Sequence, residues 1–299
     1  MNITLTGATG LIGRRLLKNF RAAGHELLVL SRHAGTNLPP GVGLATWDPM
    51  EGPAPEAGLR SAEVVVHLAG EPVAQRWNDS VKRRIRESRV QGTRNLVAGL
   101  AALRNRPKAL ICASAVGYYG DRGNETLLES SAPATGFLPE VCVAWEQEAQ
   151  AAEALGIRVV RIRIGIVLDA RGGALQQMLP PFRMGVGGKL GDGTQWMSWI
   201  HLADLAALFQ YAVENPVTGA FNGVAPNPVT NTDFTRDLAQ TLHRPAILPV
   251  PTFALKLLFG EMSGVLLSSQ RVLPAAAQSA GFTFKFPDLR PALADVLSS

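Results

Sequence analysis

Thr6-Gly7-Ala8-Thr9-Gly10-Leu11-Ile12-Gly13 stands between a short apolar run, Asn2-Ile3-Thr4-Leu5-Thr6, and an amphipathic pattern over residues 11–23 that stops at Gly24. A strand, a glycine turn and a helix in that order make an anion site. The glycines permit a tight turn and let backbone approach a pyrophosphate, while the helix N-terminus offers free N–H groups and partial positive charge. The flanking strand and helix are what separate such a loop from a plain structural turn. The residues expected to line it are Gly7, Thr9, Gly10, Leu11, Ile12 and Gly13.

The same rhythm continues outward from the loop. Residues 26–30 and 64–68 are apolar throughout, as strands are when both faces of a sheet are covered. Helical patterns over 79–103 and 139–155, the second closed by Gly156, alternate with strands at 109–114 and 157–164. Strand and helix in alternation predict an α/β fold, a doubly wound parallel sheet of the Rossmann type, with a smaller C-terminal lobe. The expected division is a dinucleotide-binding core over 1–168, completed by strands from 195–225, and a substrate lobe with a helical extension over 169–299. The Gly/Pro-rich passage 172–193 reads as a mobile connection. The substrate-facing wall and lid are expected between about Met178 and His201.

The second strand ends in Leu30-Ser31-Arg32. A dinucleotide fold that prefers NAD usually carries an acid near this point for the ribose 2′-hydroxyl, whereas a cation accommodates the 2′-phosphate of NADP. Ser31 and Arg32 therefore predict NADP as the cofactor.

Composition narrows the class further. The 299 residues are 46% hydrophobic and 18% charged, which fits a globular chain with a large core rather than a disordered or coiled-coil one. No apolar run is long enough to span a membrane, and the first residues lack the pattern of a signal peptide, so a cytoplasmic protein without a membrane partner is expected. Cys112 and Cys142 are the two cysteines and have no metal-ligand spacing; no metal is expected. The formal charge is +5 and the densest basic stretch is Lys82-Arg83-Arg84-Ile85-Arg86-Glu87-Ser88-Arg89. It has no interleaved aromatics and reads as a solvated helix face rather than a nucleic-acid site.

The Gly-x-x-Gly-x-x-Gly spacing, His67-Leu68-Ala69-Gly70, Val90-Gln91-Gly92-Thr93-Arg94-Asn95-Leu96, and Ser114 before Tyr118-Tyr119-Gly120 resemble the extended short-chain dehydrogenase/reductases. A narrower resemblance covers nearly the whole chain. Glu71-Pro72, Arg76-Trp77, Ser88-Arg89, Gly117-Tyr118-Tyr119-Gly120-Asp121, Trp145-Glu146, Leu179-Pro180-Pro181-Phe182, Trp199-Ile200-His201, Pro228-Val229-Thr230 and Gln270-Arg271-Val272-Leu273-Pro274 look like the atypical nucleoside-diphosphate-sugar epimerase-like proteins. That group includes the bacterial family called YfcH. The resemblance adds Leu68, Ala69, Gly70 and Glu71 to the expected cofactor contacts.

The resemblance also exposes a departure. Short-chain reductases use a Tyr-x-x-x-Lys pair on the helix after the fifth strand. With Glu146 aligned to an acid that often follows the lysine by four, Leu138 falls at the tyrosine position and Cys142 at the lysine position. Leucine transfers no proton, and a neutral thiol donates weakly. Cys142 shares a helical stripe with Leu138, Trp145, Ala149 and Ala152, so it is either an inert packing group or a nucleophile beside the nicotinamide. Ser114 resembles the serine that polarises a substrate carbonyl, although counting back from Tyr119-Gly120 puts that role on Ala115. Tyr118 and Tyr119 are the nearest phenols able to replace the lost acid. Arg89 falls on the inward face of the long helix with Val81, Ile85, Gly92 and Leu96, where it either holds an anionic group of cofactor or substrate or closes an internal ion pair.

Two readings follow. One is an NADP-dependent oxidoreductase or epimerase-like enzyme acting on a small-molecule substrate through rearranged groups: Ser114, Tyr118, Tyr119, Cys142 and Arg89. The other is a non-catalytic NADP-binding sensor.

Overall fold

The computed structural model describes residues 1–298. Its first half alternates as the apolar runs require: β1 (Asn2–Thr6), α1 (Leu11–Ala22), β2 (Glu26–Ser31), β3 (Gly43–Thr46), α2 (Glu56–Leu59), β4 (Val64–His67), α3 (Asp79–Ala101), β5 (Ala109–Ala115), β6 (Thr126–Leu127) and α4 (Phe137–Gln150). The second half begins with β7 (Arg158–Ile164), β8 (Ile166–Leu168), α5 (Gly173–Arg183), β9 (Trp196–Met197), β10 (Trp199–His201), α6 (Leu202–Glu214) and β11 (Gly219–Gly223). It ends with β12 (Val229–Thr230), α7 (Asn231–Thr241), α8 (Thr252–Phe259), α9 (Ser263–Leu267), β13 (Arg271–Val272), α10 (Ala275–Ser279) and α11 (Leu289–Ser298).

Seven strands form one parallel sheet in the order β11-β7-β5-β4-β1-β2-β3. The order reverses between β1 and β4, and in open α/β sheets ligands bind at the carboxyl ends of strands beside such a reversal. α3 packs on α4, and α1 packs on α6. Together with the sheet they bury one continuous apolar cluster that takes in Ile3, Leu5, Val65, Val66, Leu110, Ile111 and Val160, while Thr4 and Thr6 on β1 and Arg161 and Arg163 on β7 occupy the alternate positions. A second cluster gathers Leu175, Leu179, Phe182, Trp199, Phe234, Leu238 and Leu293 from the other half of the chain.

The passage 172–193 corrects the expectation of a mobile connection. Residues 173–183 are helical with Pro180 and Pro181 inside, each removing a backbone donor. What holds the helix is the stripe Leu175, Leu179 and Phe182, spaced four and three residues apart and buried in the second cluster. Burying three large side chains contributes about 1.5–3 kcal/mol each, which offsets a cost of about 3 kcal/mol for each interior proline.

The three loop glycines have different reasons to be glycine. Gly7 sits at φ +68°, and a Cβ there would lie 2.7 Å from the carbonyl carbon of Leu68. At Gly13 a Cβ would lie 2.3 Å from the Gly7 oxygen and 2.6 Å from the Ala8 Cα, so α1 can press against the loop only because the side chain is absent. Gly10 has φ −72° and is exposed, and a Cβ there would meet only the Gly7 oxygen, at 3.4 Å. Gly13→Ala should therefore lower the urea unfolding free energy by about 1–3 kcal/mol, the usual cost of overpacking, while Gly10→Ala changes it by less than about 0.5 kcal/mol. Equal stabilities for the two variants would contradict this account.

Candidate functional site

The carboxyl ends of β1 and β4 are tied to each other and to α3 by a buried polar chain. Thr6 pairs with His67, and His67 pairs with Cys112 across the sheet. The Thr6 hydroxyl accepts from the backbone N–H groups of Leu68 (3.1 Å) and Ala69 (3.2 Å), so its own proton goes to His67 Nδ1 at 2.7 Å. That assigns the imidazole proton to Nε2, which donates to the Thr93 hydroxyl at 3.1 Å. Burial alone pushes the His67 pKa down to about 4, so the ring stays neutral at physiological pH. The loop after β4, with Leu68, Ala69, Gly70 and Glu71, is thereby fixed against the glycine loop.

α1 opens on Gly10 without a side-chain cap and without an acid in its first turn. Its first N–H groups, on Leu11, Ile12 and Gly13, have no intrahelical acceptor, which leaves the positive helix end available to an anion. From Ala8 and Thr9 a groove of about 1250 Å³ runs along α1 under the loop after β2, with Arg14, Lys18, Arg21, His33 and Thr36 in its walls. Every charged group in that lining is a potential cation. Ser31 shapes the loop by bonding the Thr36 hydroxyl (2.8 Å) and the His33 N–H (3.3 Å), and Arg32 stands exposed beside it.

At the far end of the site, β5 and β7 run on to Ser114 opposite Arg163 and Ala115 opposite Ile164. Ser114 is buried and donates its hydroxyl to Glu146 at 2.7 Å. Glu146 is clasped by Arg163 through two bonds of 2.8 and 2.9 Å. Arg163 also donates to the Tyr119 hydroxyl (2.8 Å), which in turn donates to Asn222 (2.7 Å). Tyr119 is fully enclosed, and burial, its largest influence, raises its pKa to about 12. Tyr118 is only partly buried, and its ring lies on the Arg163 guanidinium with 3.6 Å between centroid and Cζ.

Arg89, on α3, lies beside Gly70 and over the Trp145 ring, and its Nη1 donates to the carbonyls of Glu71 (2.9 Å) and Ile85 (3.1 Å). Burial works against its charge, with Cys142 and Glu71 favouring it. Among the described residues it makes no ion pair; its partners there are the two carbonyls and the Trp145 ring. Cys142 is 4% exposed, next to the turn at Gly117, and its pKa rises to about 12, first through burial and then through Glu146. Arg89 and the Ala115 backbone pull it back without overcoming burial. Gly70, Arg89, Cys142 and Gly117 thus draw the loop after β4, α3, α4 and the turn after β5 together.

Sequence reasoning named Thr6, His67 and Thr93 only as members of motifs, used Glu146 only as a marker, and missed Arg163 and Asn222. A signal existed for one of them. Arg163 interrupts the apolar pattern of a strand covered on both faces, where a cation requires a buried partner.

A family model described as the NAD-dependent epimerase/dehydratase family matches residues 3–224, and a domain of unknown function, DUF1731, matches 250–296. The epimerase family protein YfhF of Bacillus subtilis is 40% identical over 300 residues, covering 100% of this chain and 98% of that relative. A crystal structure of the human epimerase family protein SDR39U1 (isoform 2) with NADPH is 33% identical with a TM-score of 0.89, covering 100% of this chain and 99% of that one. UDP-glucose 4-epimerase of Thermus thermophilus in complex with NAD has a TM-score of 0.79 at 19% identity, covering 100% and 98%, a likeness of fold alone.

Two outcomes test this description. A neutral His67 that resists protonation makes the unfolded chain the better proton acceptor between about pH 6.5 and 4, so this group withdraws stability as pH falls through that window and changes nothing above it. The withdrawal reaches on the order of 3 kcal/mol by pH 4. Urea midpoints at pH 7.5 and 5 should differ more for the native chain than for His67→Gln, and an equal difference would remove the role given to His67. Native protein at pH 8 should also leave Cys142 unmodified by iodoacetamide for hours, whereas rapid alkylation would mean an accessible thiolate.

Proposed function

The chain belongs to the NAD-dependent epimerase/dehydratase family, and from that premise we propose that it is an NADP(H)-dependent oxidoreductase or epimerase-like enzyme with rearranged proton-transfer groups. The observation that carries the reading is the cradle at Gly10, exposed and open between two glycines that have no room for a side chain, at the uncapped start of α1. Backbone N–H groups of Leu11, Ile12 and Gly13 would hold a pyrophosphate there, with Thr9 at its rim. Arg32, with Ser31 and the cations of the adjoining groove, would meet a 2′-phosphate. The human relative crystallised with NADPH supports the same choice. A bound NADP(H) supplies the hydride donor or acceptor.

The remaining chemistry falls to this chain's own side chains. Its three tyrosines are followed four residues on by Arg122, Gly123 and Asn215, so no Tyr-x-x-x-Lys pair exists. The Ser114 hydroxyl donates its hydrogen bond to Glu146, that of Tyr119 donates to Asn222, and Cys142 is a neutral thiol. Tyr118 is the phenol left to donate or accept a proton, with its ring held against Arg163. Arg89 orients an anionic oxygen of the ligand beside Gly70, where the guanidinium nitrogens other than Nη1 have no acceptor among the described residues. The substrate is a small molecule with a carbonyl or an oxidisable hydroxyl. The core over 1–168 carries the cofactor, and the lobe over 169–299 closes the substrate side.

One observation favours the second reading, a non-catalytic NADP(H)-binding sensor: two of the three expected hydroxyls already serve the internal network around Arg163. Calorimetry and turnover together separate the readings. NADPH should bind more tightly than NADH, and Arg32→Asp should reduce that preference by about tenfold, the worth of an exposed charge-assisted bond. Gly10→Val should fold normally and lose NADPH, because its branched side chain would fill the cradle. In a screen of carbonyl compounds and sugar nucleotides, Tyr118→Phe should lower turnover by about 10²–10⁴-fold with NADPH affinity unchanged. Tight NADPH binding without any turnover would establish the sensor, and equal affinity for NADH and NADPH would remove the role given to Arg32.

A further inference from the structure

Most of the large apolar side chains that this chain leaves in solvent belong to one face. Residues 183–191 run beside 244–251: Arg244 Nε donates to the Arg183 carbonyl (3.1 Å), Val250 N–H to that of Lys189 (2.8 Å) and Gly191 N–H to that of Val250 (2.9 Å). Met184 and Val186 on the first segment and Ile247 and Leu248 on the second are exposed. α8 follows at once, presenting Phe253, Leu257 and Leu258 outward while Leu255 is buried. Ile247, Phe253 and Leu257 are 80%, 73% and 74% exposed, so these side chains stand out from the surface instead of lining a groove. A monomeric protein rarely leaves such a patch without a use.

Charge identifies the occupant. Residues 183–191 and 242–260 contain no Asp or Glu, but they contain Arg183, Lys189, His243, Arg244 and Lys256. The acids that flank the two segments are Asp192, which lies beside Lys189 and accepts from the Thr194 N–H and hydroxyl, and Glu261, which is paired with Lys82. A two-fold pairing of identical faces would set these cations against their own copies, which opposes self-association. A projecting apolar ridge with cations along it is instead the form of an element that lies in a membrane interface. α8 has eight residues and crosses nothing; the sequence expectation of no membrane contact rests on the absence of a span, and an interfacial element needs none.

We propose that this face, Met184 and Val186 together with 247–258, docks on an anionic lipid surface. The aliphatic and aromatic side chains enter the headgroup boundary, and Arg183, Arg244 and Lys256 meet the lipid phosphates. The chain would thereby hold its active-site cleft at a membrane without being anchored in it.

Sedimentation of the full chain with vesicles tests this, using phosphatidylcholine alone and an equal mixture with phosphatidylglycerol. The native protein should pellet with the anionic vesicles at low salt, release as salt rises, and remain in solution with the neutral ones. R244Q/K256Q should weaken binding on the order of thirtyfold. F253E/L257E should abolish it with an unchanged circular dichroism spectrum and unchanged NADPH affinity, since both positions are exposed and lie outside the cofactor site. Absence of binding to anionic vesicles at low salt overturns the proposal, as does binding that survives F253E/L257E. A native dimer by light scattering that F253E/L257E converts to monomer also overturns it, because a second copy would then cover the face.

Discussion

The close approach of the loop after β4 to the loop after β1 governs the rest of the site. Gly7 has no side chain to hold Leu68 away, and the Thr6 hydroxyl gathers the N–H groups of both Leu68 and Ala69. Once those donors are taken, the Thr6 proton has to go to His67 Nδ1, and the ring has to present Nε2 to Thr93 on α3. Three elements distant in sequence are therefore positioned by one hydroxyl. The cost is a histidine kept neutral in the core, which is cheap at neutral pH and expensive in acid. A dinucleotide laid across the reversal between β1 and β4 would rest on backbone fixed in this way.

A different device sets the opposite end. Arg163 and Glu146 are both about 5% exposed, and two buried charges recover their desolvation only through good geometry and further hydrogen bonds. Those bonds are present: Ser114 on one Glu146 oxygen, Tyr119 and the Glu129 carbonyl on Arg163, and the Tyr118 ring stacked on the guanidinium. The same arrangement that makes the pair tolerable engages the hydroxyls of Ser114 and Tyr119 in internal hydrogen bonds. Truncating Glu146 alone would leave Arg163 as an uncompensated buried cation, so stability and site geometry are coupled here.

Much of this was legible in the amino-acid order. The runs at 26–30, 64–68 and 109–114 became β2, β4 and β5, the strand read at 157–164 became β7 despite Arg158, Arg161 and Arg163, and Gly156 sits at φ +79° where the end of the α4 segment needs a left-handed residue. The packing stripe through Cys142, Trp145 and Ala149 is buried as its spacing implied. Less legible was anything decided by partners far apart in the chain. Pro180-Pro181 reads locally as a break, and only the second apolar cluster, assembled from residues up to 120 positions away, keeps that stretch helical. Ser114 and Ala115 differ by one position and so point to opposite faces of β5. The motif alone left both open, and the register with Arg163 is what turns Ser114 toward Glu146.

The turn that carries Tyr118 and Tyr119 depends on the end of the chain. β6 pairs in parallel with β13, Gln270 donates to the Gly120 carbonyl, the Arg122 N–H donates to that of Ser269, and the Ser269 hydroxyl donates to that of Gly123. Asn222, which accepts the Tyr119 proton, spends its own amide on the Leu273 carbonyl. A segment about 150 residues downstream thus completes the backbone hydrogen bonds of the turn and fixes the partner of its buried phenol. Because these are buried or partly buried polar groups, leaving them unpaired would cost about 1–3 kcal/mol each, and the turn cannot keep this shape without that segment. The setting of Tyr118 and Tyr119 is therefore a property of both halves of the chain, which is why a strand-by-strand reading of the first 168 residues finds the two phenols but not their partners.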